Sequence, residues 1–153
     1  MLVDSSAILD AIDQMVGPDR ALTPASGSNR REVMKITAIA LASMEKAMWA
    51  VYERRFRPEE KVHQPWIDRN DHQVLGGLRF LNELALKTGR DGRLARGTRL
   101  SQADITGAVA YTFANAVRPH LILAQEVPNL ASFAARCEDM PIFRKVPVPE
   151  AAS

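Results

Sequence analysis

Apolar residues recur three and four positions apart through almost the whole of this 153-residue chain, and the strict alternation of an amphipathic strand is nearly absent. That periodicity predicts an all-α protein built from five helices. The first runs from about Ser5 to about Val16, with Ala7, Ile8, Ala11, Ile12 and Met15 as one apolar stripe. Ser5 or Asp4 can cap it, and Gly17-Pro18 ends it. A linker rich in Pro, Ser and Gly, Thr23 to Asn29, leads into a long second helix from about Asn29 to about Arg55. Val33, Ile36, Ala40, Met44, Ala47, Met48 and Val51 form its stripe, and Pro58 lies just beyond. The third helix runs from about Pro65 to about Thr88, with Trp66, Ile67, Val74, Leu78, Leu81 and Ala85 along one side and Gly89 as terminator. The fourth runs from Ser101 to about Arg118, before Pro119. A short fifth helix runs from about Asn129 to about Asp139, stopped by Pro141. The tail, with Pro141, Pro147 and Pro149, is expected to wrap the surface as irregular chain.

Composition narrows the function classes. A hydrophobic fraction of 46% is enough for a packed core, unlike that of a disordered chain. Twenty basic residues against 18 acidic ones give a net charge of +2, without the basic excess of an electrostatic nucleic-acid binder. Cys137 is the one cysteine, so no internal disulfide forms, which fits a reducing compartment. The opening MLVDSSAILDAID places acids at Asp4, Asp10 and Asp13 and lacks the basic start and apolar run of a signal peptide. No stretch approaches the roughly 18 apolar residues of a membrane span. A soluble cytoplasmic protein is the expectation, with neither nucleic acid nor membrane as partner.

Leu100-Ser101-Gln102-Ala103-Asp104-Ile105 is a complete helix start. Ser101 stands at the N-cap, and its hydroxyl can accept the backbone N–H of Asp104. The Asp104 carboxylate can reach back to the N–H of Ser101, with Leu100 and Ile105 as a hydrophobic staple. Such a cap contributes about 1 kcal/mol. The helix that follows is apolar (Ile105, Ala108, Val109, Phe113, Ala116, Val117), so it is expected in the middle of the bundle with its cap buried. Asp104 then serves folding, not proton transfer.

Other candidates read as structure. His63, His72 and His120 are scattered and complete no metal site. Cys137 has no second cysteine beside it and reads as a buried inert thiol. Gly76-Gly77 follows no strand, so it is a place for close helix approach rather than a phosphate loop. Lys87 to Arg99, with Arg90, Arg93, Arg96 and Arg99, reads as a solvated surface loop before it reads as an anion patch. Tyr52 to Lys61 mixes both signs and reads as a solvated helix end.

The order of these signals resembles the glutathione transferase family. The box Leu100-Ser101-Gln102-Ala103-Asp104-Ile105 is similar to the one opening the fourth helix of that family's bundle. Asp4-Ser5-Ser6-Ala7-Ile8 resembles the acidic-Ser-x-Ala-Ile segment that closes its thioredoxin-like domain. Leu22-Thr23-Pro24, the two long helices with Pro65-Trp66 opening the second, Pro128-Asn129-Leu130 and Pro141-Ile142-Phe143 follow in the family's order. The resemblance implies that Asp4 and Ser5 bind the γ-glutamyl end of glutathione. A helix N-terminus suits a carboxylate, a serine hydroxyl adds a donor, and Asp4 can pair with the ammonium. The structural alternative is that Ser5 is only a cap. The resemblance also implies that Met44, Met48 and Tyr52 line the pocket for an electrophile, although core packing accounts for both methionines.

On this reading residues 1–20 are a remnant of the thioredoxin-like domain, its last helix. Residues 21–153 are the family's C-terminal all-helical domain, a five-helix bundle. The tyrosine, serine or cysteine that stabilises the glutathione thiolate has no counterpart by motif, so no catalytic residue is assigned. The expected function is glutathione conjugation to an electrophilic small molecule, glutathione being the co-substrate, in a chain whose glutathione-binding half is truncated. The alternatives are a non-catalytic helical interaction module and an inactive fragment. With less to cover, the first helix is expected to fray, to dimerise or to dock on a partner chain.

Overall fold

The computed structural model describes residues 3–88 and 92–146. Seven α-helices and two 3₁₀ turns follow one another, and there is no strand among the described residues. The long helices are α1 (Ser5–Val16), α2 (Gly27–Phe56), α3 (Gln64–Thr88), α4 (Gln102–Val117) and, after the single-turn α5 (Leu123–Glu126), α6 (Pro128–Glu138). A second single turn, α7, spans Pro141–Arg144. These two turns are additions to the five expected helices. A stretch of four residues is too short for apolar periodicity to register. Pro141 does not merely stop α6: it opens α7 from the first helical turn, where its fixed φ is already helical and its missing N–H costs nothing. The stop expected at Gly89, together with Arg90, Pro147 and Pro149, lies outside the described residues.

The core lies between α2, α3, α4 and α6, around Ile36, Leu78, Leu81, Leu94, Leu130 and Phe133. α4 packs against α2, α3 and α6 and so sits in the middle of the bundle. Its buried face is not quite the expected one. Ala103, Thr106, Gly107, Ala108, Ala110 and Ala114 are buried, whereas Val109 is exposed by 39%. Small side chains do this packing because they let neighbouring backbones come close. A Cβ on Gly107 would lie 2.4 Å from Cδ1 of Leu94. α2 and α3 use the same device: a Cβ on Gly77 would lie 2.0 Å from Oγ of Ser43.

The segment after α3 is irregular and exposed at residues 96–99, as expected of a surface loop, but it is not surface throughout. Leu94 and Ala95 are core residues, Leu94 filling the space that Gly107 leaves. Of the arginines there, Arg96 reaches Glu32 at 3.7 Å and Arg99 donates to the carbonyl of Asp19. Arg96 and Arg99 thus serve separate partners.

Candidate functional site

α1 begins at an unusual backbone. Asp4 has φ 85° and ψ 132°, a region that costs a non-glycine residue about 1–3 kcal/mol. Its carboxylate accepts the N–H of Ser6 at 2.8 Å, and its carbonyl accepts that of Ile8 at 3.1 Å. Asp4 is therefore the N-cap of α1, and Ser5 is the first helical residue; both are exposed. This places a carboxylate, a hydroxyl and the open N–H groups of a helix start together at the surface. An amino-acid end group could bind there through both its carboxylate and its ammonium.

Polar clamps hold α1 in place. The Asp13 carboxylate accepts the N–H groups of Leu22 and Thr23 at 2.8 and 3.0 Å. Arg30, in the first turn of α2, donates to Asp10 at 2.7 Å and to the carbonyl of Pro24 at 3.2 Å. The hydrogen bond from Arg30, with one from Gln14, holds the Asp10 carboxyl below its ordinary range. No residue of α1 is buried, and its apolar face, including Ile8, Ile12 and Met15, is open.

The residues expected to line an electrophile pocket stand on successive turns of α2 and differ in exposure. Met44 packs against the core and Met48 is half-buried. Tyr52 is exposed and stacks edge-on with Trp49 and Phe56, at 6.3 and 5.1 Å between ring centres. Tyr52 stands roughly 33 Å along α2 from Arg30, the residue that meets α1.

Ser101 and Asp104 form a reciprocal capping box at the start of α4. Asp104 is fully buried. Its carboxylate accepts Ser101 N–H at 2.8 Å, Ser101 hydroxyl at 2.7 Å and Leu94 N–H at 2.7 Å. It thus fastens the preceding loop as well as the helix.

Two constellations went unread in the sequence. Arg118 grips Asp71 through two parallel bonds of 2.8 and 2.7 Å, both residues buried, and His120 Nε2 lies 3.0 Å from the same carboxylate. Asn82, buried in α3, accepts the N–H groups of Asn129 and Leu130 and so caps α6 from another helix. Neither leaves a local signal, because the partners lie 47 to 49 residues apart. Of the other histidines, the exposed His63 donates its backbone N–H to the buried Glu53, and His72 lines a trough between α2 and α3. Cys137 is buried, and burial, with a smaller push from the Asp104 charge, raises its thiol pKa to about 11. Among the described residues no three His, Cys, Asp or Glu converge as metal ligands, and no helix is long and apolar enough to cross a membrane.

No family model and no curated protein matches the sequence. Solved structures do. A glutathione transferase family member from Pseudomonas fluorescens, with bound S-(propanoic acid)-glutathione, is 26% identical at a TM-score of 0.84, over 97% of this chain and 72% of that one. A glutathione S-transferase from Methylobacillus flagellatus with glutathione bound is 27% identical at 0.85, over 96% and 70%. One from Methylobacterium radiotolerans, in complex with glutathione sulfonate, shares the fold at 24% identity and 0.84, over 99% and 69%.

Proposed function

Starting from the fold of this chain, which is that of the all-helical C-terminal domain of the glutathione transferase family, we propose that it works as the helical half of a glutathione transferase conjugating glutathione to an electrophilic small molecule. The observation that carries this reading is the likeness, over nearly the whole chain, to family members solved with glutathione or a glutathione derivative. The geometry at Asp4 supports it, since backbone strain is retained where surrounding structure enforces it, and such places cluster at binding sites.

In this reading, Ser5 and the open N–H groups of α1 receive the γ-glutamyl carboxylate of glutathione, while Asp4 pairs with its ammonium. Asp4 and Ser5 bind; they do not activate the thiol. Thiolate stabilisation belongs to a thioredoxin-like domain of which residues 1–20 form the last helix, residues 21–153 being the helical domain. The open apolar face of α1 is the surface on which the sheet of that domain rests. The protein works in the cytoplasm.

The test is a glutathione titration followed by amide NMR on the 153-residue chain, together with a conjugation assay on a generic electrophile. Shifts confined to the first turn of α1, weakened by Ser5→Ala and by Asp4→Asn, are expected, with little or no turnover by this chain alone. Absence of any shift there would remove the binding role. Turnover equal to that of a complete transferase would remove the assignment of thiol activation to another domain. A non-catalytic interaction module is the second reading, favoured by the open apolar face of α1. It requires that glutathione leave the α1 amides unmoved.

A further inference from the structure

The side of α6 that meets the loop after α3 carries a positive charge beside an apolar floor. Phe133, Arg136, Cys137 and Met140 stand at i, i+3, i+4 and i+7, one stripe of the helix continued just past its end. Phe133 and Cys137 are buried and Met140 is half-buried. Arg93 comes to the same place from the loop. Its neighbour Leu94 lies in the core with its N–H bonded to Asp104 at 2.7 Å, so Arg93 stands one residue from an anchored point. Between loop and helix lies a cavity of about 430 Å³, lined by these residues together with Gly92 and Asp139. That volume is in the range of small-molecule sites.

The charges around this cavity are unevenly engaged. Among the described residues no ion pair takes up Arg93 or Arg136. Asp139, the carboxylate in the lining, is bonded by Arg144 at 3.0 Å. Glu138 accepts from Thr112 at 3.1 Å, and Asp104 is filled by three donors. The carbonyls that end α6 would oppose an anion, but those of Ala135 and Cys137 already accept the N–H groups of Asp139 and Met140. Burial raises the Cys137 thiol, and the charges of Arg93 and Arg136 both pull it back, so the two guanidinium groups act on the same sulfur. The Arg136 guanidinium lies over the Phe133 ring, 5.5 Å from its centre. Stacking occupies the flat face of the group and leaves its N–H edge for a planar acceptor.

We propose that this cavity binds a small organic carboxylate, its oxygens held by Arg93 and Arg136 and its apolar body laid against Phe133, Cys137 and Met140. A carboxylate suits the site because its two oxygens match a guanidinium edge in one plane. An inorganic anion would meet the same charges and leave the apolar floor in water. The site uses no residue of α1, and its failure would leave the glutathione reading standing.

Amide NMR of the 153-residue chain titrated with benzoate tests it. Shifts centred on Arg93, Arg136 and Met140 are expected, with a dissociation constant of about 1 mM, the scale for so small a ligand. Arg93→Gln and Arg136→Gln should each weaken binding about tenfold, as loss of a charged hydrogen bond implies, with helical circular dichroism unchanged. Arg31→Gln, at an exposed position of α2, should leave binding untouched. Benzyl alcohol, neutral and of similar shape, and inorganic phosphate at matched ionic strength should each bind at least about tenfold more weakly than benzoate. No shift at these amides, shifts centred instead on the first turn of α1, equal binding of benzyl alcohol or phosphate, or indifference to both arginine variants would each overturn the proposal.

Discussion

At Asp104, three donors meet one carboxylate that has no access to water. Removing it strands the N–H groups of Leu94 and Ser101, and a buried unsatisfied group costs about 1–3 kcal/mol. Asp104→Ala should therefore cost about 3–5 kcal/mol in urea unfolding, against about 1 kcal/mol for Ser101→Ala. The box was legible in the sequence because its partners stand three positions apart. The Leu94 bond was not, nor was the grip of Arg118 on Asp71, because only the fold brings those groups together. Cys137 gives a second prediction. An unfolded chain releases the thiol proton near pH 9, and the folded one near 11. Between those values the folded state holds the extra proton, so stability must fall as pH rises through that window. Comparing Cys137→Ala with the parent protein from pH 8 to 11 should show this contribution vanish in the variant.

The helices were readable because apolar spacing is a local property: α1 has the bounds its sequence implies. The core-facing side of α2 was legible, since Val33, Ile36, Ala40 and Ala47 of its expected stripe are buried, whereas that of α4 was less so, because alanines and a glycine do the packing there. Adjacent glycines of α3 separate these effects. Gly77 lies against Ser43, while a Cβ on Gly76 would meet nothing within 4 Å. Gly77→Ala should displace the Ser43 hydroxyl from its bond to the Ile39 carbonyl and cost about 1–3 kcal/mol. Gly76→Ala should stabilise by up to about 1 kcal/mol through helix propensity alone. Thermal unfolding of the two variants, shifting in opposite directions, is the expected result; a common sign would mean that close approach does not decide this site.

Across the whole molecule, cohesion is uneven. α2, α3, α4 and α6 share one core, while α1 is held by the Asp10 and Asp13 clamps and has no fully buried residue. Its amides should exchange by local opening, far faster than those of α4. The Asp10 clamp contributes fully above the ordinary carboxylate range and is lost as pH falls through its lowered value, so α1 should loosen first on acidification. Protection of the α1 amides, taken against their intrinsic exchange rate at each pH, should fall below about pH 4, before that of any core helix. The Asp4-Ser5 pair was legible as a helix start. That it sits on the least anchored element was not, because anchoring depends on what packs against a helix. The cap that α3 lends to α6 carries the contrary lesson. A short helix that receives its first-turn acceptor from Asn82 cannot become persistent before α3 is in place. Its formation is conditional on a segment made much earlier in synthesis, so a peptide of residues 126–146 should be largely unstructured in water, and α6 should settle only after α3.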